Sequence, residues 1–168
     1  MKKDVLIYYD LITTLKTTQE VESFVSEIDT LMFEFYKTKG LLIHRTLDSI
    51  SFGTVGKIMQ VFLKNNLDIN NKNTFVSFFQ TLKILIKKLK VIKLVLAFDP
   101  TRKTIERIHN FVKENIGIGY ILDIEVYKEV LGGAIIIFNG KYKDSTLKKS
   151  LEEVCRSRRS EILPNRMV

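Results

Sequence analysis

The chain has 168 residues, of which 45% are hydrophobic and 27% charged, and its formal net charge is +8. This is the composition of a globular protein and it excludes a mainly disordered chain. The longest stretch without Asp, Glu, Lys or Arg is Val130 to Gly140, which is far shorter than the roughly 18 residues of a membrane-spanning helix. The first residues, Met1-Lys2-Lys3-Asp4, do not resemble a secretory signal.

The charge is distributed unevenly along the chain. Residues 1–36 contain three lysines and seven acidic residues, whereas residues 37–93 contain eleven Lys or Arg and two acidic residues. One interpretation is a polarised surface that attracts a charged partner. The other is a set of solvated helix faces in a lysine-rich protein, and the sequence leaves both open.

The first half of the chain is patterned as helices. Thr17 and Glu20 have the spacing of a capping box, which predicts that a helix begins there. It is followed by apolar residues spaced three and four apart, namely Val21, Phe24, Val25, Ile28, Leu31, Met32 and Phe35. Thr38-Lys39-Gly40 is a plausible end of this helix.

Three further amphipathic helices and a short one are predicted before residue 90. A helix near the start carries Val5, Tyr8, Tyr9, Ile12 and Leu15, and a third carries Val55, Ile58, Met59, Phe62 and Leu63. Asn71 to Asn73 precede the strongest pattern, which consists of Phe75, Phe78, Phe79, Leu82, Leu85, Ile86 and Leu89. Residues 41–50 are ambiguous and are assigned a short helix. Isolated amphipathic helices are marginal in water, so these should pack together as a bundle.

The second half begins with strand patterns. Val91 to Phe98 is apolar and rich in β-branched residues, as in a buried strand. Asp99-Pro100 predicts a helix start; the helix carries Ile105, Ile108, Val112 and Ile116 and ends at Gly117. Tyr120 to Tyr127 follows as a strand.

The last part of the chain is predicted to be two strands and a helix. Gly132-Gly133 marks a bend, Ala134 to Phe138 a buried strand, and Asn139-Gly140 a hairpin turn into a short edge strand. Asp144-Ser145-Thr146 caps a final helix whose inward residues are Leu147, Leu151 and Val154. The predicted fold is therefore α+β: an N-terminal helical bundle (1–90), a small β-α-β-β-β-α unit (91–157) and a basic tail (158–168).

Signals for catalysis are weak throughout. Gly53 to Ile58 resembles a phosphate loop but lacks its first glycine and the hydroxyl after Lys57. His44 and His109 have no histidine or cysteine at metal-ligand spacing. We therefore expect no catalytic residue, no metal and no cofactor.

Three other features have a structural explanation that is favoured over a chemical one. Cys155 excludes an internal disulfide, suits a reducing compartment, and is expected to be a buried thiol. Adjacent Glu152 and Glu153 diverge by about 100° on a helix and cannot form an acid/base pair. Gly132-Gly133 lacks both the third glycine and the following helix of a dinucleotide loop, so a tight bend or close backbone approach is the better interpretation.

Nucleic-acid binding is the alternative function that the charge leaves open. The basic stretch 37–93, with Tyr36 just before it, contains aromatic residues that could stack on bases if they were exposed. Its phenylalanines, however, fall on the helix stripes themselves, which favours a place in the core: Phe62, Phe75, Phe78 and Phe79.

Residues 130–151 resemble the C-terminal signature of the delta subunit of bacterial F-type ATP synthases, equivalent to the mitochondrial oligomycin-sensitivity-conferring protein. The matching residues are Gly132, Gly133, Gly140, Asp144 and Leu151, and Thr146 stands where the family has serine. Tyr127 and Ile137 depart from the family pattern, where Asp and a polar or basic residue are usual. The resemblance extends over about residues 91–157; the first 90 residues share only the helical pattern.

The resemblance implies a non-catalytic stator subunit of the peripheral stalk, which links the catalytic head to the membrane sector. Its partners would be the N-terminal helix of an alpha subunit, received by the bundle, and the C-terminal end of the stalk b subunit, engaged by the C-terminal unit. The protein would be peripheral, at the cytoplasmic face of the cell membrane. Our candidate wall for the first contact is the first helix, although these residues could equally fill the bundle core: Val5, Tyr8, Tyr9 and Ile12.

Overall fold

The computed structural model describes residues 3–37, 52–68 and 71–157. Four helices come first, and four strands and two further helices follow among the described residues. The elements are α1 (Lys3–Ile12), α2 (Thr18–Lys37), α3 (Phe52–Lys64), α4 (Lys72–Ile86), β1 (Lys90–Leu96), α5 (Arg102–Asn115), β2 (Tyr120–Val126), β3 (Gly133–Phe138), β4 (Lys141–Thr146) and α6 (Leu147–Ser157). The short helix predicted over 41–50, the helix end at Thr38–Gly40 and His44 lie outside the described residues.

Helices α1 to α4 surround one apolar core that is rich in aromatic rings. Phe35 stacks on Phe75 with ring centroids 4.1 Å apart, and Phe62 meets Phe78 edge-on at 4.7 Å. Such ring pairs add stability beyond the apolar area they bury. The buried members of this core are Leu11, Leu15, Phe24, Ile28, Leu31, Phe35, Ile58, Val61, Phe62, Phe75, Phe78, Phe79, Leu82 and Ile86.

The start of α2 confirms the predicted capping box, with one shift. The hydroxyl oxygen of Thr17 accepts a hydrogen bond from the Glu20 backbone N–H at 3.2 Å. The Glu20 carboxylate reaches back to the backbone N–H of Lys16, at 2.7 Å, rather than to that of Thr17. Both bonds satisfy backbone donors at the start of the helix that have no partner inside it.

The apolar stripes of α2 and α4 point inward as the spacing predicts, but α3 differs. Its described buried side chains are Ile58, Val61 and Phe62, whereas Leu63 is 73% exposed. The inward placement of Leu63 is therefore wrong. Residues 58, 61 and 62 follow the three-and-four spacing of a helix face, and Leu63 lies about 100° beyond Phe62.

Helix α4 begins at a polar cap. The side-chain oxygen of Asn71 accepts from the backbone N–H groups of Asn73 and Thr74, at 3.0 and 3.2 Å. Asparagine is among the best residues at this position because its side chain replaces the missing helical acceptor.

The strands form one mixed sheet in the order β2-β1-β3-β4. β1 and β2 are parallel, with Leu94 opposite Ile124, and α5 provides the crossover between them. β3 is antiparallel to both β1 and β4. Together with α1 to α4 this confirms the α+β class.

Helix α5 packs on one face of the sheet. The second core consists of Ile92, Leu94, Leu96, Val112 and Leu122, with partly buried neighbours that include Ala134, Ile136 and Phe138. The alternate residues of β3 belong to the opposite face, and from Ala134 to Phe138 the strand is only half-buried. The prediction of a fully buried strand is wrong because one side has no helix packed across it in this core.

The start of α5 differs from the prediction. Its N-cap is Thr101, whose hydroxyl oxygen accepts from the backbone N–H of Thr104 at 3.3 Å. Asp99 and Pro100 precede the cap, so they are not the cap and first helical residue that the sequence suggested. Threonine is itself a good N-cap residue, and Thr101 directly precedes the first helical residue, whereas Asp99 does not.

None of the helices among the described residues combines the length and the apolar character needed to cross a membrane.

Candidate functional site

The glycine pair lies at a close approach between β3 and β4. Gly132 and Gly133 have φ angles of +73° and +84°, which L side chains rarely adopt. A Cβ atom on Gly133 would lie 2.3 Å from the carbonyl oxygen of Ser145. The Gly132 carbonyl oxygen accepts from the backbone N–H of Leu147 at 3.0 Å and so ties the bend to the start of α6. The structural interpretation of this pair is confirmed.

Asn139 and Gly140 form the turn of the β3–β4 hairpin. Their φ angles are +49° and +72°, and Phe138 pairs with Lys141 across the turn. Positive φ at both central residues is the condition for a type I′ turn, whose twist suits a two-residue hairpin.

Asp144 and Thr146 order the junction between β4 and α6. The Asp144 carboxylate accepts from the Thr146 backbone N–H at 2.9 Å. The Thr146 hydroxyl, itself buried, accepts from the Lys149 backbone N–H at 3.3 Å and caps the helix. Hydrogen bonds from Thr146 lower the pKa of Asp144 below its usual value, because they favour the charged carboxylate.

Helix α6 presents its apolar stripe to solvent. Leu147, Leu151 and Val154 are 54%, 47% and 50% exposed, and no residue of the helix is buried. Their predicted inward placement is wrong, as is the burial of Cys155, which is exposed. The spacing correctly identified an apolar face, but no described part of the chain buries that face.

A cleft lies beside this helix. It has a volume of about 580 Å³ and lies between the segment after β2, strand β4 and the first turns of α6. Its lining includes Tyr127, Ile135, Tyr142 and Lys148. Both tyrosines are about half exposed or more. This corner of the sheet therefore exposes aromatic and apolar groups beside charged groups of both signs.

The predicted partner-binding residues of α1 partly serve the core. Tyr8 and Ile12 pack against it, and the ring of Tyr8 lies 4.8 Å from that of Phe78. Tyr9 is half-buried, and Val5 lies in the same helix.

A separate open groove, of about 680 Å³, runs along α2 to the end of α4. It is lined mainly by apolar groups, including Val21, Val25, Phe33 and Ile86. Phe33 is 65% exposed.

The described residues hold no arrangement typical of catalysis. Lys57 lies within α3, so the sequence that resembles a phosphate loop is a helix. Phe62, Phe75, Phe78 and Phe79 are buried in the core and cannot stack on bases. Among the parts of the chain that are described, no three His, Cys, Asp or Glu side chains converge as metal ligands would.

Comparison with protein families decides the identity. The family model described as "ATP synthase delta (OSCP) subunit" matches residues 11–157, well over half of the chain. The chain belongs to this family. It is accordingly a peripheral-stalk subunit of an F-type ATP synthase, a structural component of a membrane-bound complex rather than an enzyme.

One solved structure illustrates the similarity. It is the F-ATP synthase of Polytomella in primary rotary state 3, studied by electron cryomicroscopy. The matched chain is 18% identical, covers 46% of this stalk subunit and 100% of its own length, and gives a TM-score of 0.38. No curated protein matches this sequence.

The sequence did not reveal a contact between the helices and the sheet of this stalk subunit, which is made by Lys16. The Lys16 ammonium lies 2.6 Å from the Glu106 carboxylate on α5. The Lys16 backbone carbonyl accepts from the Leu122 N–H of β2 at 2.8 Å. The capping box marked Thr17 and Glu20 on either side of the α2 start, but nothing in the sequence links Lys16 to residues about ninety or more positions away.

His109 lies one turn along α5 from Glu106, the partner of Lys16. It is buried, and its Nε2 atom lies 3.2 Å from the carbonyl oxygen of Tyr120. Burial lowers the pKa of His109 because the charged imidazolium loses hydration, and the Tyr120 carbonyl offsets this only in part. From its place beside Ile108 on a helix, the sequence predicted a boundary residue rather than a metal ligand. A structural role in holding α5 against β2 accounts for this geometry.

Proposed function

We propose that this stalk subunit binds different partners with its two regions. In this proposal, residues 1–90 form a helical bundle domain that receives the N-terminal helix of an alpha subunit. Residues 91–157 form a separate β-α-β-β-β-α domain that engages the C-terminal end of the stalk b subunit. The subunit lies at the cytoplasmic face of the membrane. Two separate apolar cores, one in each region, support the division.

The observation that carries the stalk contact is the uncovered stripe of α6. Leu147, Leu151 and Val154 recur at helical spacing and stay exposed. Burying a large apolar side chain contributes roughly 1.5–3 kcal/mol, so a partner helix laid along this stripe would gain substantially. An amphipathic partner helix supplies the i, i+3, i+4 contacts that such a stripe accepts.

A binding experiment on α6 tests the stalk contact. The full chain would be titrated with a peptide of the C-terminal segment of the b subunit. Leu151→Gln should raise Kd about fivefold or more, because a central apolar anchor costs more than about 1 kcal/mol when lost. Arg156→Gln is the matched control, since it places the same residue on the opposite side of the helix. Equal affinity of the Leu151→Gln and Arg156→Gln proteins would contradict the proposal.

The alpha contact is assigned to α1, with Tyr9 as the residue to test. Tyr9 is half-buried and, unlike Tyr8, is not among the residues packed on the core. With a peptide of the alpha-subunit N-terminus, Tyr9→Ala should weaken binding several-fold. Phe33→Ala, in the α2 groove, should leave the affinity unchanged. The reverse result would move the contact from α1 to that groove.

Protease accessibility in oriented membrane vesicles tests the location of the subunit. Inside-out membrane vesicles expose the cytoplasmic face, and we expect protease to cleave the subunit there and not in right-side-out vesicles. Cleavage only in right-side-out vesicles would contradict the assigned face while leaving the stalk contacts untouched.

A further inference from the structure

The connector between α1 and α2 is seated on the sheet. This connector is defined as residues 13–17, the segment between the two helices. Within it, Leu15 is buried in the helical core, and Thr17 is buried at 8% exposure. Thr17 pairs with Leu122 as an isolated parallel bridge beside β2. Because β2 is an outer strand of the sheet, the connector covers part of an edge that would otherwise be open.

Every polar group of Lys16 has a partner in this arrangement. Its backbone N–H donates to Glu20 within the helical region, at 2.7 Å. Its backbone carbonyl accepts from Leu122, at 2.8 Å, and its ammonium donates to Glu106, at 2.6 Å. One residue thus ties the start of α2 to both β2 and α5.

The neighbours of Lys16 reinforce the contact. The Thr18 hydroxyl lies 3.3 Å from the Asp123 carboxylate of β2. The Lys16 and Glu106 side chains are 22% and 43% exposed, so water screens this ion pair somewhat less than the Lys64–Asp10 pair, where the side chains are 72% and 55% exposed. Lys16 lowers the pKa of Glu106, chiefly through their hydrogen bond, as expected for a carboxylate held in its charged form.

We propose that Lys16 is a latch that locks the helical region onto the sheet region. The backbone joins the helical region to the sheet region only through the turn at residues 87–89. A single covalent connection of this kind would allow the two regions to rotate relative to each other. The latch supplies a second attachment, about ninety residues away in sequence, so that the two regions move as one body. A stalk subunit with two attachments resists twisting, whichever partners bind to it, and the inference does not depend on the assigned partners.

Distance measurements between the regions test the latch. Spin labels would be placed on the exposed positions Ser26→Cys in α2 and Asn110→Cys in α5, in a Cys155→Ser background of the full chain. We expect one narrow distance distribution. Lys16→Glu should broaden it, because two carboxylates then face each other, and the exchanged pair Lys16→Glu with Glu106→Lys should restore it.

Hydrogen exchange provides a second measurement and a folding control. In the Lys16→Glu protein, the Leu122 amide should exchange about three- to fivefold faster, as expected for the loss of a partly exposed ion pair. The amides of Phe79 and Leu82, deep in the helical core, should keep their rates and so report an intact fold. Lys64→Glu, which breaks an ion pair inside the helical region, should change neither measurement.

Three results would overturn the proposal. A broad distribution in the labelled parent would show that the regions are not locked. An unchanged distribution in the Lys16→Glu protein would show that the Lys16 side chain does not lock them. Broadening that the exchanged pair fails to reverse would show that the ion pair with Glu106 is not the locking contact.

Discussion

The two regions bury their apolar residues in different ways. In the helical region, α2, α3 and α4 converge on a shared aromatic core in which Phe79 and Leu82 have no exposed surface. In the sheet region, α5 covers one face and α6 buries none of its side chains. The helical region packs the stripes of α2 and α4 onto its own core, whereas the sheet region leaves the stripe of α6 exposed. A subunit whose role is to hold other subunits needs such surface.

The largest expected difference between the regions comes from truncating one apolar residue in each. Phe79→Ala removes a fully buried ring and should lower the free energy of unfolding by about 3–5 kcal/mol. Leu151→Ala removes a half-exposed side chain and should change it by no more than about 0.5 kcal/mol. Urea denaturation measures both. A cost of several kcal/mol for Leu151→Ala would mean that α6 is packed against the fold, and the contrast between the regions would be lost.

The same contrast explains what could be predicted from the sequence. The stripes of α2 and α4 pointed inward as expected because neighbouring helices supply cover for them. The stripe of α6 has equally regular spacing, yet Leu147, Leu151 and Val154 are exposed. Helical periodicity identifies an apolar face, but what covers that face is a tertiary property.

Local backbone turns were predicted correctly from the sequence, whereas contacts between residues far apart in the sequence were not. The hairpin at Asn139-Gly140 and the bend at Gly132-Gly133 depend on φ angles that few residues adopt, so the residue types alone indicate them. The contact of Lys16 with Glu106 depends on how separate elements meet. Lysine and glutamate are common surface residues, and nothing distinguishes this pair before the fold is known.

The next largest effect concerns the bend in the sheet region. Gly133→Ala introduces a Cβ atom 2.3 Å from the Ser145 carbonyl oxygen at a positive φ, so β3 and β4 must separate. We expect a loss of about 3 kcal/mol, which combines backbone strain with the steric clash. Gly140→Ala is the matched control, because its φ is also positive but no atom lies within 4 Å of the new Cβ. It should cost about 1 kcal/mol. Equal losses would show that no close approach exists at Gly133.

Helix caps should respond differently in the two regions. Asn71→Ala removes the cap of α4, which is held by core contacts, and should lower global stability by about 1 kcal/mol. Thr146→Ala removes the cap of α6 and should mainly increase amide exchange along α6, since no buried side chain holds this helix. Thr146→Ser keeps the hydroxyl and should preserve protection. Protection of α6 that survives Thr146→Ala would indicate that other contacts hold the helix.

The smallest expected effect is a pH dependence at the junction of the two regions. Burial holds the pKa of His109 below its ordinary value of 6.5, so the unfolded chain binds a proton more readily than the folded one. Stability from this group is complete above about pH 6.5 and declines as the pH falls toward the folded-state pKa. The groups around it act in both directions, since Lys16 and Lys113 oppose protonation and Glu20 favours it. Urea denaturation at pH 7.5 and 5.5 should therefore show a loss of stability that His109→Gln reduces. The pKa of Glu106 is lowered from 4.5, so Glu106 affects stability in a more acidic range. A loss of stability that is undiminished in the His109→Gln protein would exclude His109 as the cause of that loss.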